Sequence, residues 1–311
     1  MPIGHPSGTP TALTKLRPGE LKEHGPAIDS LLLFAGRGAY PIELAASARA
    51  QGVRRIFCIA FKGETDRRMR DLADEIRWMP VGRLRLLLDT AREAGIRDAV
   101  MVGQITPTKL YRVQMDRMLI RLLRTLHPRN AETIFGAFAE LLTKMDIHLH
   151  PASRFMESTM PDPGLLGRRA PDAAQEADIR LGVRIAQATS GLDIGQTVVI
   201  KEGTVLAVEA FEGTDQAIRR AGRLGGPGAV VVKTAKRGHD MRFDIPVIGM
   251  RTMKHMRRAH VGVLAVEAHR TILLERARLE QEANRLGLVF LAFNPLEHAD
   301  DAGNGQEDSP S

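Results

Sequence analysis

Short runs of aliphatic and β-branched residues alternate along this chain with stretches whose apolar positions recur every three or four residues. That alternation predicts a parallel sheet with helices packed on its faces. The first unit reads as strand 28–34 (IDSLLLF), turn AGRGAYP, helix 42–52 and strand 55–61 (RIFCIAF). Pro41 stands in the first helical turn, where a missing N–H costs nothing, and Gly52 stands where the helix should stop. A strand over 78–81, a helix over 83–95 closed by Gly95 and a strand over 98–105 follow, then helices over 109–126 and 131–145. Residues 151–171 hold four prolines and two glycines, too many for a helix or a central strand. A domain boundary is expected there, dividing 27–165 from 166–296. Beyond it come a helix over 172–189 and two apolar runs flanking Glu202-Gly203, as a tight hairpin requires. Helices over 214–223, 252–259 and 276–286 then alternate with strands over 229–235, 261–268 and 287–293. The fold class is therefore α/β in two domains, an N-terminal Rossmann-like parallel sheet and a C-terminal mixed α/β domain.

Both ends lack any apolar period. Residues 1–26, rich in Pro, Gly and Thr, read as a disordered arm, and 297–311 as a disordered acidic tail. A length of 311 residues exceeds one ordinary core, which agrees with two domains. A net charge of +7 favours anionic partners, but aromatics at 4% are scarce for a protein that stacks bases, so nucleic acid is not expected. Cys58 lies inside an apolar strand and reads as a buried thiol rather than a nucleophile. No run of 18 apolar residues and no signal peptide are found, which predicts a cytoplasmic protein. The helix around 112–126 sets Val113, Met115, Met118, Leu119, Leu122, Leu123 and Leu126 opposite Arg117, Arg121 and Arg124. Such a face is ordinarily core, with an anionic membrane as the alternative.

Three segments carry candidate chemistry. Gly36-Arg37-Gly38 follows a strand and precedes a helix, so its amides could gather a phosphate. The same glycines could instead serve close strand–helix packing. A dinucleotide fingerprint fails at Pro41, which disfavours NAD. Residues 233–249 bring Lys233, Lys236, Arg237, His239, Asp240, Arg242 and Asp244 after an apolar strand, where α/β folds place ligands. Their cations suit a diphosphate and their carboxylates a divalent ion or an attacking water. In an extended segment Arg242 and Asp244 share a face; the plain alternative is a surface loop held by ion pairs. Around the Gly213-Thr214 turn, Glu209, Glu212 and Asp215 suit Mg²⁺, although Thr214 or Asp215 could simply cap the next helix. His148 and His150 alternate on a strand with no third metal ligand, so a structural role is expected. No serine-hydrolase elbow, zinc-protease motif or Walker loop is found.

The ordered motifs FAGRGAYP, LDIGQ, VLAVEAFEGTD and DMRFDIP resemble the LpxI-type UDP-2,3-diacylglucosamine pyrophosphatases of lipid A synthesis, over roughly residues 28–293. The resemblance implies Mg²⁺-dependent (or Mn²⁺-dependent) hydrolysis of a UDP-linked lipid to 2,3-diacylglucosamine 1-phosphate and UMP. It implies that Asp244, closing the RxD element, is the essential carboxylate, with Arg242, Lys233 and Lys236 stabilising charge on the diphosphate. Glu209, Asp215 and Asp240 are expected beside Asp244 at the metal, and Gly36, Gly38, Gln196, Glu212, Gly213 and Thr214 at the substrate. The acyl chains would fit a cleft between the domains, and the expected partners extend to the inner membrane surface and a second copy of the chain. Three positions depart from the family pattern: Arg129-Asn130-Ala131 replaces a Gly-Asp-Asp, Lys236-Arg237-Gly238-His239 replaces a Lys-Pro-x-Gln, and Arg37 replaces a small or amide residue. The first departure motivates an alternative, a drifted relative that binds a nucleotide sugar or lipid without cleaving it.

Overall fold

The computed structural model describes residues 27–105, 114–127, 131–236, 241–242 and 245–294. The expectations for the two tails, for Arg237, Gly238, His239, Asp240 and Asp244, and for Arg129 and Asn130 lie outside these residues.

The first half is a parallel sheet. Strands β1 (Ser30–Ala35), β2 (Arg55–Phe61), β3 (Glu75–Met79), β4 (Asp98–Val102) and β5 (His148–Leu149) are ordered β3-β2-β1-β4-β5. Every pair is parallel, with β1 in register against both β2 and β4. Side chains alternate across the sheet as a pleat demands. Leu31, Leu33 and Ala35 face helix α1 (Tyr40–Ala50), while Leu32 and Phe34 face α2 (Leu84–Ala94) and α4 (Ala131–Thr143). The Rossmann-like expectation is met.

Helix α3 (Arg117–Thr125) begins eight residues later than the periodicity suggested. Asp116 fixes its start, accepting hydrogen bonds from the Leu119 amide and from the Arg85 amide of α2, each at 2.8 Å. Strand β3 precedes the expected 78–81, because an edge strand tolerates the charged Glu75 and Arg77 that break an apolar run.

The second half is mixed. Strands β6 (Gly164–Leu165), β7 (Thr197–Lys201), β8 (Thr204–Val208), β9 (Val230–Lys233), β11 (Val263–Glu267) and β13 (Val289–Phe293) form a sheet ordered β6-β13-β11-β9-β7-β8. Strands β9, β11 and β13 are parallel, and β7 opposes β9. The hairpin β7–β8 turns at Glu202 and Gly203 with φ of 49° and 75°, as expected for a two-residue loop. Buried Asp178 accepts the amides of both turn residues, at 2.8 and 2.7 Å. Helix α5 (Ala173–Gly191), opened by a capping box of Asp172 and Gln175, covers one face. Helices α6 (Thr214–Gly225), α7 (Met250–Arg258) and α8 (Arg276–Leu286) cover the other.

The chain crosses between the halves after β9. Strands β10 (Val247–Ile248) and β12 (Ile272–Leu273) make a parallel two-stranded sheet of their own. Ile245, Ile272 and Leu274 bury their side chains in the cluster built on β1, β2 and α1. Among the described residues no helix is long and apolar enough to cross a membrane.

Candidate functional site

Strands β9 and β11 run parallel, and β7 runs against them, so the end of β9 meets the start of β7. Thr197 consequently stands directly opposite Lys233 in the register. Helix α6 starts at the same edge, since the β8–α6 loop is short and turns through Gly213 at φ 81°. This is the carboxyl-end edge, where open α/β sheets gather ligands.

Lys233 is 6% exposed there. A buried ammonium must be hydrogen-bonded. Its Nζ donates to Thr214 Oγ1 at 2.8 Å and to Thr197 Oγ1 at 3.4 Å, and lies 4.0 Å from Glu209 Oε2. Thr214 Oγ1 in turn donates to the Glu209 carboxylate at 3.0 Å. One threonine hydroxyl thus joins cation to anion. Two of the three ammonium donors are thus on hydroxyls, with the Glu209 carboxylate close by.

Two loops are clamped around this cluster. A Cβ on Gly195 would lie 2.0 Å from the Glu209 carbonyl oxygen, so only glycine lets the LDIGQ loop touch the β8–α6 loop so closely. Gln196 takes part through its backbone, its carbonyl accepting the Thr234 amide at 3.0 Å. Lys236, the next cation along, pairs with Asp193 of the LDIGQ loop. Deeper in, Glu267 at the end of β11 is 3% exposed and accepts the Ala235 amide at 2.8 Å, with Arg270 Nη1 at 3.7 Å.

The other acids of the β8–α6 loop point elsewhere. Glu212 accepts from Arg220 Nη2 at 2.6 Å, and that guanidinium holds its carboxyl below the usual carboxylate range. Asp215 accepts from Arg251 Nε at 2.8 Å and Thr252 Oγ1 at 3.0 Å, both on α7, with His255 Nε2 at 3.7 Å. Neither Thr214 nor Asp215 caps α6, whose cap position is Gly213 without a side-chain bond. Glu209 and Asp215 thus have different partners, and no group of three metal-binding side chains occurs among the described residues.

The turn at Gly36 is spent on packing. Its amide donates to the Val102 carbonyl at 2.8 Å, and the Arg37 amide to the Gln104 carbonyl at 2.7 Å. A Cβ on Gly36 would lie 2.7 Å from the Gly103 carbonyl carbon, so the glycine serves close approach of two backbones. Two of the three amides expected to cradle a phosphate are thus already donated; Gly38, at φ 104°, turns the chain into α1. His148 and His150 pack edge to face with ring centres 4.5 Å apart, and His150 Nε2 lies 2.7 Å from Asp98 Oδ1, a structural role as expected.

Arg242 is half-buried. The Met241 carbonyl accepts the Ala152 amide at 2.8 Å, and Ile245 is buried in the first-domain cluster. Met241 and Ile245 thus both contact the first half of the molecule. Sequence reasoning passed over Thr197, Asp193 and Glu267. Thr197 is visible only through register, and Glu267 reads as the polar end of an apolar strand.

Comparison with known proteins places these observations. Residues 30–159 match the LpxI N-terminal domain and residues 162–291 the LpxI C-terminal domain. The chain is 29% identical over 283 residues to the UDP-2,3-diacylglucosamine pyrophosphatase LpxI of Caulobacter vibrioides, an alignment covering 85% of this chain and 98% of that protein. Among solved structures, the biotin carboxylase subunit of pyruvate carboxylase aligns over 64% of this chain and 42% of that one, at 15% identity and a TM-score of 0.27. A biotin carboxylase from Campylobacter jejuni aligns at 13% identity and a TM-score of 0.27, over 63% of this chain and 42% of its own.

Proposed function

Because the chain belongs to the LpxI family, we propose that it is a pyrophosphatase that hydrolyses UDP-2,3-diacylglucosamine to 2,3-diacylglucosamine 1-phosphate and UMP, in lipid A synthesis. The observation that carries the reading is the buried ammonium of Lys233 at the carboxyl-end edge, held by Thr197, Thr214 and Glu209. A cation fixed in a low-dielectric position stabilises charge that develops on a phosphoryl group without reorganising at the moment of reaction. Lys236 and Arg242 extend positive charge along the same segment. Asp244 is assigned the water, which it orients and relieves of a proton as the oxygen attacks phosphorus. UMP or the sugar phosphate leaves with the bridging oxygen.

A divalent ion, Mg²⁺ or Mn²⁺, would neutralise the diphosphate when bound. Glu209 is engaged by Lys233 and Thr214, and Asp215 by Arg251 and Thr252, so neither fits a shared metal site. Metal dependence is accordingly proposed on Asp240 and Asp244 alone.

UMP release from UDP-2,3-diacylglucosamine, followed with and without EDTA, tests the proposal. The wild-type chain is expected to turn over and to stop with EDTA, and Asp244→Ala to lose turnover by orders of magnitude while keeping its melting temperature. Full turnover by Asp244→Ala would remove the assigned role. Calorimetric binding of the UDP-lipid without UMP release would establish the drifted, non-cleaving relative instead.

A further inference from the structure

Helices α7 and α8 lie side by side on the outer face of the second sheet, and the groove between them is rich in positive charge. It encloses about 420 Å³, with Lys254 and Arg257 from α7 and Arg278 and Arg285 from α8 set against Glu282 as the single carboxylate of its lining. Arg285 grips Glu282 through two hydrogen bonds of 2.7 Å, and Arg278 Nη1 donates to Glu275 Oε2 at 2.7 Å, which leaves Lys254 and Arg257 as the unpaired cations of the lining among the described residues. The Arg285 contact, reinforced by the charges of Arg257 and Arg278, holds the Glu282 carboxyl below its usual range. Lys254, Arg257 and Arg258 are exposed and make no ion pair among the described residues. With Arg251 they follow one another at helical spacing along the outer side of α7. A second cavity of about 460 Å³ shares Met250, Lys254 and Arg278 with the first, adds Glu275, and extends to Ile42, Glu43 and Arg68 of the first domain. The charged groove therefore opens toward the junction of the two halves.

Neighbouring like charges repel, and an anionic surface relieves that repulsion. These cations are spread over two helices rather than converging on a point, which suits an array of singly charged groups better than one compact phosphate. No aromatic side chain lines the groove, so nucleic-acid bases would find nothing to stack on. We propose that the α7–α8 groove docks this protein on an anionic phospholipid bilayer, seating headgroup phosphates against Lys254 and Arg257. The choice of a bilayer over other polyanions rests on the lipid substrate proposed above.

Flotation of the full chain with phosphatidylglycerol-containing vesicles, against pure phosphatidylcholine, tests this. Wild type is expected to float with the anionic vesicles only and to be released by salt. The Lys254→Gln/Arg257→Gln double variant should bind about thirtyfold more weakly, from the usual contribution of a basic residue near an anionic membrane. Lys254→Glu/Arg257→Glu should not float at all. Should the reversed pair melt prematurely, the Gln pair carries the test. Absence of wild-type binding, or equal binding by wild type and both variants, overturns the proposal. So does groove-dependent binding of inorganic phosphate or of a DNA duplex without vesicle binding. UMP release from detergent-dispersed substrate should stay at the wild-type rate in both variants. A wild type that floats but releases no UMP would defeat the enzymatic reading alone, and one that releases UMP but does not float would defeat the docking alone.

Discussion

The three polar side chains around Lys233 show how one hydroxyl can carry two charges. Thr214 gives its proton to Glu209 and its lone pair to Lys233, so neither ion is stranded in a setting where an unpaired charge is costly. Lys233, Thr214 and Glu209 could be picked from the sequence as residues of the right chemistry after an apolar strand. Their mutual arrangement could not, because it depends on the antiparallel register that sets Thr197 across from Lys233. The Gly36 turn shows the opposite. Its composition suits a phosphate cradle and a backbone crossing equally well, and Gly103, far along the chain, decides for the crossing. Cys58 was fully legible. It is 0% exposed, and burial pushes its thiol up to about 12. Iodoacetamide at pH 8 is therefore expected to leave the native protein unmodified and to alkylate one site in urea, as intact mass would show.

At the scale of elements, hydrophobic period placed the long strands and helices well. It misplaced those whose limits are set by one polar residue or one distant contact, such as α3 behind Asp116, and it passed over the two-residue strands β6, β10 and β12. Strands that short bury too few side chains to leave a period. Where α6 meets the end of α7, a Cβ on Gly222 would lie 2.6 Å from the Ala259 Cβ and 3.0 Å from its Cα. Alanine at this helical position would ordinarily gain about 1 kcal/mol. Because the obstacle is backbone, Gly222→Ala is instead expected to destabilise by ~1–3 kcal/mol, read from urea melts. Helix α1 meets α8 through Glu43, whose Oε2 accepts the Glu275 amide at 2.9 Å. Burial raises the Glu43 carboxyl above its ordinary 4.5, the amide opposes this, and the Glu275 carboxylate adds to it. The native state thus binds more protons than the unfolded chain between 4.5 and the raised value, so this group's contribution falls as pH climbs through that window and is level above it. Glu43→Gln is expected to remove that decline, visible as a flatter stability profile than wild type from pH 4.5 upward.

For the whole molecule, the two halves are joined by more than a linker. Composition places the expected boundary at a proline-rich stretch, but nothing in the pattern of 245–274 announces that its apolar residues serve the first core. Ile272 is 0% exposed within that cluster. Ile272→Ala should therefore cost about 2–5 kcal/mol even though the residue follows the boundary by a hundred positions. Scanning calorimetry should show a single transition moving down as a unit. Two separated transitions, with only the later half shifted, would contradict a shared core.

That return of the chain also bears on how the protein is born. The first sheet has been translated by Leu149, and the earlier buried residues of its α1-side cluster by Met156, yet Ile245, Ile272 and Leu274 belong to the same cluster. At ordinary elongation speeds of ~5–20 residues per second, the gap between Met156 and Leu274 lasts roughly 6–24 s. Throughout that interval the nascent first half exposes an oily flank, which makes it a client for ribosome-associated chaperones until its missing side chains arrive.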